Sequence, residues 1–213
     1  MTTGENQIPS VVYVDGFNLY YGAVKGTPYK WLDISKMVQM LLAKNKVLKI
    51  KYFTALVNAR SQDPDQPLRQ QIYLRALKTI PNPEIILGHF LTHEVRMPRA
   101  NCAPGHQRSV KVIKTEEKGS DVNIATHLLH DGYLGTYGVA ILISNDSDLV
   151  EAIKIVRNDL KKGVIVLNPF KDTPSQELNR FATFVKPIRQ GVLAASQFPN
   201  PMQDQNGSFF KPP

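Results

Sequence analysis

Three short segments each finish a β-like stretch on acidic or amide side chains: Val11-Val12-Tyr13-Val14-Asp15-Gly16-Phe17-Asn18, Lys118-Gly119-Ser120-Asp121, and Ile141-Leu142-Ile143-Ser144-Asn145-Asp146-Ser147-Asp148. Carboxylates drawn from distant stretches suit a hard divalent cation such as Mg²⁺ or Mn²⁺, which prefers oxygen ligands and fills its shell with water and substrate phosphate. Such an ion generates hydroxide from bound water and polarises a phosphodiester, and two ions roughly 3.5 to 4 Å apart steady the entering and leaving oxygens. Asp15, Asp121, Asp146 and Asp148 are therefore the residues to position.

The elements that must position them are β-rich apolar runs at Val11 to Val14, Val47 to Leu56, Glu84 to Leu91, Val139 to Ile143 and Val164 to Leu167, with helical patterns between most of them. Ile34, Met37, Val38, Leu41 and Leu42 recur at helical spacing, as do Leu68, Ile72, Tyr73, Ala76, Leu77 and Ile80. Strands alternating with helices predict an α/β fold with a mainly parallel sheet covered on both faces. In such a sheet the carboxyl ends of strands share one edge with the starts of the following helices, and ligands bind there. The four aspartates are expected at that edge. A helix starting near Gly119 has Val122, Ala125, Leu128 and Leu129 as its apolar stripe, with Asp121 inside the stripe at the first turn. A charge so placed needs a partner, hydrogen bonds or a cation.

Each aspartate also has a local explanation. Asp121 can face the helix dipole. Asp148 followed by Glu151 can form an N-cap with an acidic third residue, and Asp146 can close an Asx turn. Asp15-Gly16 can be a tight strand-to-helix turn, with Asn18 capping the helix. Taken together, these explanations need four acids at one edge for unrelated reasons, whereas a shared site needs one reason.

The chain has 213 residues, with 26 Lys and Arg against 18 Asp and Glu and a formal net charge of +8, a balance suited to polyanions. Part of that charge lies in one place. Between His93 and Lys118 two β-compatible pieces, Glu94 to Met97 and Ser109 to Thr115, flank a loop-like stretch from Met97 to Gln107. This predicts a hairpin or flap carrying Arg96, Arg99, Arg108, Lys111, Lys114 and Lys118 against Glu94, Glu116 and Glu117. Arg96, Arg108, Lys114 and Lys118 are the expected contacts to a nucleic-acid backbone. One cysteine, Cys102, precludes an intrachain disulfide framework, and no signal-like or bilayer-length apolar run is present. The expected compartment is the cytoplasm.

The motifs VVYVDGFNLYYG, EEKGSDVNIATHLL and VAILISNDSDLVEAI followed by KKGVIVLNP resemble the NYN domain family, a relative of the PIN and flap nucleases, over about Val11 to Pro187. The resemblance implies a PIN-like three-layer α/β/α sandwich and a metal-dependent ribonuclease. It also implies that Asp15, Asp121 and Asp146 bind Mg²⁺ or Mn²⁺, with Asn18, Ser144 and Asp148 beside them. The chain departs from the pattern where many relatives have Gly in place of Asn145 and Asp in place of His127. Helical projection puts His127 away from Asp121, so no metal ligand is moved onto it. These departures keep open an alternative, a weakly active or inactive nucleic-acid-binding or regulatory module.

Other constellations are weaker. His89, His93, Cys102 and His106 can be drawn as a zinc site, but structural zinc favours more thiolates. No P-loop, G-x-G-x-x-G or G-x-S-x-G sequence occurs. Tyr20, Tyr21, Tyr29 and Trp31 either stack bases at the mouth of the site or pack the sheet and first helix. A third function remains small-molecule chemistry on the same scaffold, since a fold does not fix a function. The expected organisation is a polar extension over 1–9, the NYN/PIN-like domain with its inserted basic hairpin over 10–188, and a loose Pro-rich tail over 189–213. RNA is the first expected partner and DNA the second. No membrane partner is expected, and a homodimer is compatible with the sequence.

Overall fold

Val11 and Tyr13 face one side of the first strand while Val12 and Val14 face the other, and all four are buried, so both faces of this strand must be covered. The computed structural model describes residues 7–101, 107–171 and 173–213. In chain order the elements are β1 (Ile8–Asp15), α1 (Gly16–Leu19), a π-helical turn (Tyr20–Val24), α2 (Ile34–Leu41), β2 (Asn45–Thr54), α3 (Gln66–Leu77) and β3 (Pro83–Leu87). Then come β4 (His89–Pro98), β5 (Ser109–Lys118), α4 (Ser120–Tyr133), β6 (Val139–Ile143), a 3₁₀ turn (Ser147–Leu149), α5 (Val150–Asn158) and β7 (Gly163–Asn168). The chain continues through α6 (Gln176–Phe181), β8 (Phe184–Pro187), α7 (Gln190–Ala195), β9 (Met202–Asp204) and β10 (Gly207–Phe209).

Six strands form a parallel sheet in the order β3-β2-β1-β6-β7-β8. One core packs Val12, Val14, Ile141 and Ile143 against residues of α1, α2, α3 and α7. The other packs Val11, Tyr13, Ala140 and Leu142 against α4, α5 and α6. The fold is the α/β/α sandwich expected. No helix among the described residues is long and apolar enough to cross a membrane.

Four expectations are corrected in detail. The run Glu84 to Leu91 is two strands, because the chain leaves the main sheet at Gly88. There a Cβ would meet Glu117 Oε1 and the Lys118 carbonyl at 2.6 Å. The hairpin strands β4 and β5 are longer than their apolar pieces, pairing His89 with Lys118 through to Pro98 with Ser109. The N-terminal extension is shortened, since Ile8 and Pro9 already belong to β1 and residues 1–6 lie outside the described residues.

The segment expected to be a loose tail is folded onto the domain. Phe198, Met202 and Phe209 join the core that contains Trp31, and the Trp31 indole donates to the Pro199 carbonyl at 3.0 Å. Arg75 of α3 forms two 2.7 Å bonds to the Asp204 carboxylate.

Candidate functional site

The strand order decides where a crevice opens. From β1 the chain leaves toward the face holding α1, α2 and α3, and from β6 toward the face holding α5. Adjacent strands whose connections leave on opposite faces make a switch point, where open α/β sheets bind ligands. Asp15 ends β1, and Ser144 to Asp148 follow β6. The basic hairpin ends at Gly119, whose φ of +100° is accessible to glycine, and the turn there starts α4 with Ser120 and Asp121.

Hydrogen bonds lace these segments together. Asp15 Oδ1 accepts the Asn18 amide at 2.9 Å, so Asp15, not Asn18, caps α1. Asp15 Oδ2 accepts the buried Ser144 hydroxyl at 3.2 Å, and Ser144 Oγ in turn accepts the Asp146 amide at 3.1 Å. Asn18 Oδ1 takes the Asn145 amide at 2.9 Å. Asp146 Oδ1 accepts the Asp148 amide at 2.9 Å, an Asx turn that caps the 3₁₀ segment. The cap is therefore Asp146 and not the Asp148–Glu151 pair, because a short 3₁₀ turn precedes α5, and Asp148 is left exposed.

The electrostatics of this edge are one-sided. Asp15 is 5 % exposed, and burial above all, then the charges of Asp121 and Asp146, raise its pKa to about 6 against the lowering effect of the Asn18 and Ser144 bonds. Asp121 is also raised, by burial first and then by Asp146, Glu117 and Asp148. Among the described residues, no Lys, Arg or His forms an ion pair with Asp15, Asp121, Asp146 or Asp148.

The donor set suits a hard cation: each Asp15 oxygen accepts one hydrogen bond and keeps lone-pair capacity for another partner. Among the described residues, no three or more His, Cys, Asp or Glu stand close enough together to hold a metal ion between them.

Other positions fall as follows. Asp121 lies in line with Ile124 and Leu128, which are fully buried, whereas Val122 is exposed; the apolar stripe is thus shifted from the one expected. His127 lies away from the acids, its Nδ1 3.1 Å from Lys51 Nζ and its ring against Phe53. Asn145 binds the next loop, donating to the Thr173 carbonyl at 2.8 Å and accepting the Ser175 amide at 2.7 Å.

Glu117 was not singled out from the sequence. It accepts the Ser120 hydroxyl at 2.9 Å at the start of α4 and adds its charge beside Asp121. The signal was a carboxylate three residues before a helix-starting serine.

On the hairpin, Arg96 and Arg108 are exposed, while Lys114 and Lys118 both pair with Glu116, at 2.6 and 3.4 Å. The root of the hairpin touches the site, with Phe90 edge-to-face on Phe17 of α1 at 5.6 Å. Of the imagined zinc ligands, His89 and His93 lie opposite Lys118 and Lys114 on the hairpin, whereas Cys102 and His106 lie outside the described residues.

Comparison with known proteins adds three findings. Residues 9–188 match the NYN domain family. The chain is 31 % identical over 216 residues to "6-hydroxy-3-succinoylpyridine 3-monooxygenase HspA" from Pseudomonas putida (strain DSM 28022 / S16), an alignment covering 88 % of this chain and 69 % of that protein. A crystal structure of a protein of unknown function, VPA0982 from Vibrio parahaemolyticus RIMD 2210633, superposes with a TM-score of 0.54 at 19 % identity. It covers 89 % of this chain and 98 % of that one, and the likeness is one of fold.

Proposed function

Because the chain belongs to the NYN domain family, a family of PIN-like nuclease domains, we propose that it hydrolyses RNA phosphodiester bonds with Mg²⁺ or Mn²⁺ held by Asp15, Asp121 and Asp146. The observation that carries this reading is the charge imbalance at the switch point. A buried Asp15, raised to about 6 among like charges and without a basic partner, is a group whose ionised form needs a cation.

When bound, the ion supplies an activated water and polarises the phosphoryl oxygen. The chain's own groups do the rest. Ser144 fixes Asp15 and Asp146 relative to one another through a single hydroxyl, donating to the first and accepting from the backbone of the second. Asn18 ties the β6 loop to α1, holding both carboxylate segments in register. Asp148, exposed beside Asp146, would act on water at the mouth of the site. The hairpin supplies Arg96, Arg108, Lys114 and Lys118 for backbone phosphates, with Glu116 holding the two lysines at rest.

The test is cleavage of single-stranded RNA in Mn²⁺. Asp15→Asn and Asp146→Asn are each expected to lower the rate by about a thousand-fold, the scale of several kcal/mol of lost charge stabilisation, with unchanged circular dichroism. Full activity in both variants defeats the reading.

Two other outcomes carry distinct readings. RNA binding that weakens with salt, with no product at any Mn²⁺ concentration, identifies the non-catalytic binding module. A second catalytic reading draws on the name of the Pseudomonas putida relative and on an aromatic-lined cavity beside Asp15. It is oxygenation of a hydroxypyridine, and reductant-dependent dioxygen uptake with 6-hydroxy-3-succinoylpyridine is the result that would favour it.

A further inference from the structure

The four aromatic residues after the first acidic segment divide into two pairs. Trp31 and Tyr29 pack into the core or against it. Tyr20 and Tyr21 belong to neither core and are 37 % and 49 % exposed, their rings edge-to-face at 5.3 Å. They sit on a π-helical turn closed by the Lys25 amide donating to the Tyr20 carbonyl at 2.7 Å. Single π-turns within helical segments occur often at functional sites.

Both tyrosines line a cavity of about 400 Å³ that also includes Gly16, Phe17, Trp31 and Tyr52. It begins at the residue following Asp15, and the Tyr52 phenol on its wall is pushed up by burial first and then by the charge of Asp15. The volume falls within the range of about 300 to 1,000 Å³ typical of small-molecule sites.

Its charge is complementary to a nucleotide. Lys30 and Lys211 lie on its wall, and Lys25 stands over the Tyr21 ring at 4.7 Å. Arg69 is engaged by Asp63, so the lysines are the cations offered to a ligand. Aromatic faces next to lysines, one residue from the acidic edge, match a base joined to its phosphates.

We propose that this cavity is a base-stacking subsite for one nucleotide of a single-stranded RNA, flanking the phosphate presented to Asp15, Asp121 and Asp146. The inference deepens the nuclease reading and rests on it for the identity of the strand. Stacking on an aromatic face tolerates every base, so the subsite fixes the strand's position without imposing a sequence.

The test measures binding of a short labelled oligoribonucleotide to the full chain in EDTA, where metal-dependent cleavage is absent. The strand is compared with versions carrying one abasic residue at successive positions. One abasic position is expected to weaken binding roughly ten-fold, the order of one lost base–aromatic stack. Tyr20→Ala or Tyr21→Ala is expected to weaken the intact strand similarly and to erase that abasic penalty, while Tyr21→Phe restores it. Trp31, the one tryptophan of the chain, provides an intrinsic fluorescence readout of occupancy.

An abasic penalty of equal size in wild type and both alanine variants overturns the subsite. A free mononucleotide bound as tightly as the strand overturns the strand reading and makes the cavity a small-molecule site. Cleavage in Mn²⁺ is scored separately with Asp15→Asn, so failure of the nuclease reading is distinguishable from failure of the subsite.

Discussion

Two aspartates are buried against the same sheet, and the chain treats them in opposite ways. Asp131, 7 % exposed on α4, has Lys51 Nζ at 2.7 Å and accepts the Tyr13 hydroxyl at 2.7 Å. Its charge is answered within the fold. Asp15, 5 % exposed, has a serine hydroxyl and a backbone amide, and its charged neighbours are further acids. The same physics applies to both, since a buried carboxylate needs compensation. The comparison teaches that the acidic edge lacks the opposite charge that the Lys51–Asp131 pair already has, which is the gap the proposed cation would fill. The two regions share α4, which contributes Asp121 to the first and Asp131 to the second.

The sharpest way to break this contrast is to remove one side of the compensated pair. Lys51→Met leaves Asp131 buried and unpaired, and urea denaturation is expected to show a loss of about 3 to 5 kcal/mol. Adding Asp131→Leu together with Tyr13→Phe, which also removes the buried hydroxyl that Asp131 accepts, is expected to recover most of it. Cleavage by the folded fraction should be unchanged, because Lys51 contacts none of the acidic edge. A single-variant loss below about 1 kcal/mol would remove the pair's structural role.

The opposite sign is expected at the other aspartate. In divalent-free buffer near pH 7.5, Asp15→Asn should stabilise the protein by about 1 to 3 kcal/mol, since a pKa raised from 3.8 to about 6 corresponds to no more than about 3 kcal/mol. Destabilisation instead would mean that the Asp15 charge is already compensated.

The pH dependence follows from the same shift. A raised carboxylate pKa means that the native state holds more protons than the unfolded state between about 4 and about 6. Metal-free wild type should therefore lose stability as pH rises through that window, and the loss should be missing from Asp15→Asn. Denaturation midpoints measured at pH 4.5 and 7 check this, after subtraction of the variant's own slope.

Much of the sheet was legible because β1, β6 and β7 are near-continuous apolar runs bounded by polar turns. The switch-point acids were legible for the same reason: each acidic cluster either ends a strand or opens the helix beside it. What escaped depends on distant contacts. Phe198, Met202 and Phe209 read as a sparse Pro-rich tail, because their partner Trp31 lies more than 160 residues earlier in the chain. The break at Gly88 is set by close approach to the hairpin's returning strand, which no local pattern records. Asp146 closes its Asx turn and supplies the cap expected of Asp148, because a 3₁₀ turn precedes α5. The apolar stripe expected on α4 includes Val122, yet packing against the sheet buries Ile124 and leaves Val122 exposed.

The central claim is that the acidic edge is completed by a divalent ion, and a calorimetric titration of Mn²⁺ into the metal-free full chain at pH 7 tests it most directly. Saturable binding is expected, and it should be abolished or strongly weakened in Asp15→Asn and Asp146→Asn while surviving in Lys51→Met. Absence of binding to the wild type, or equal binding by the two asparagine variants, would contradict the account.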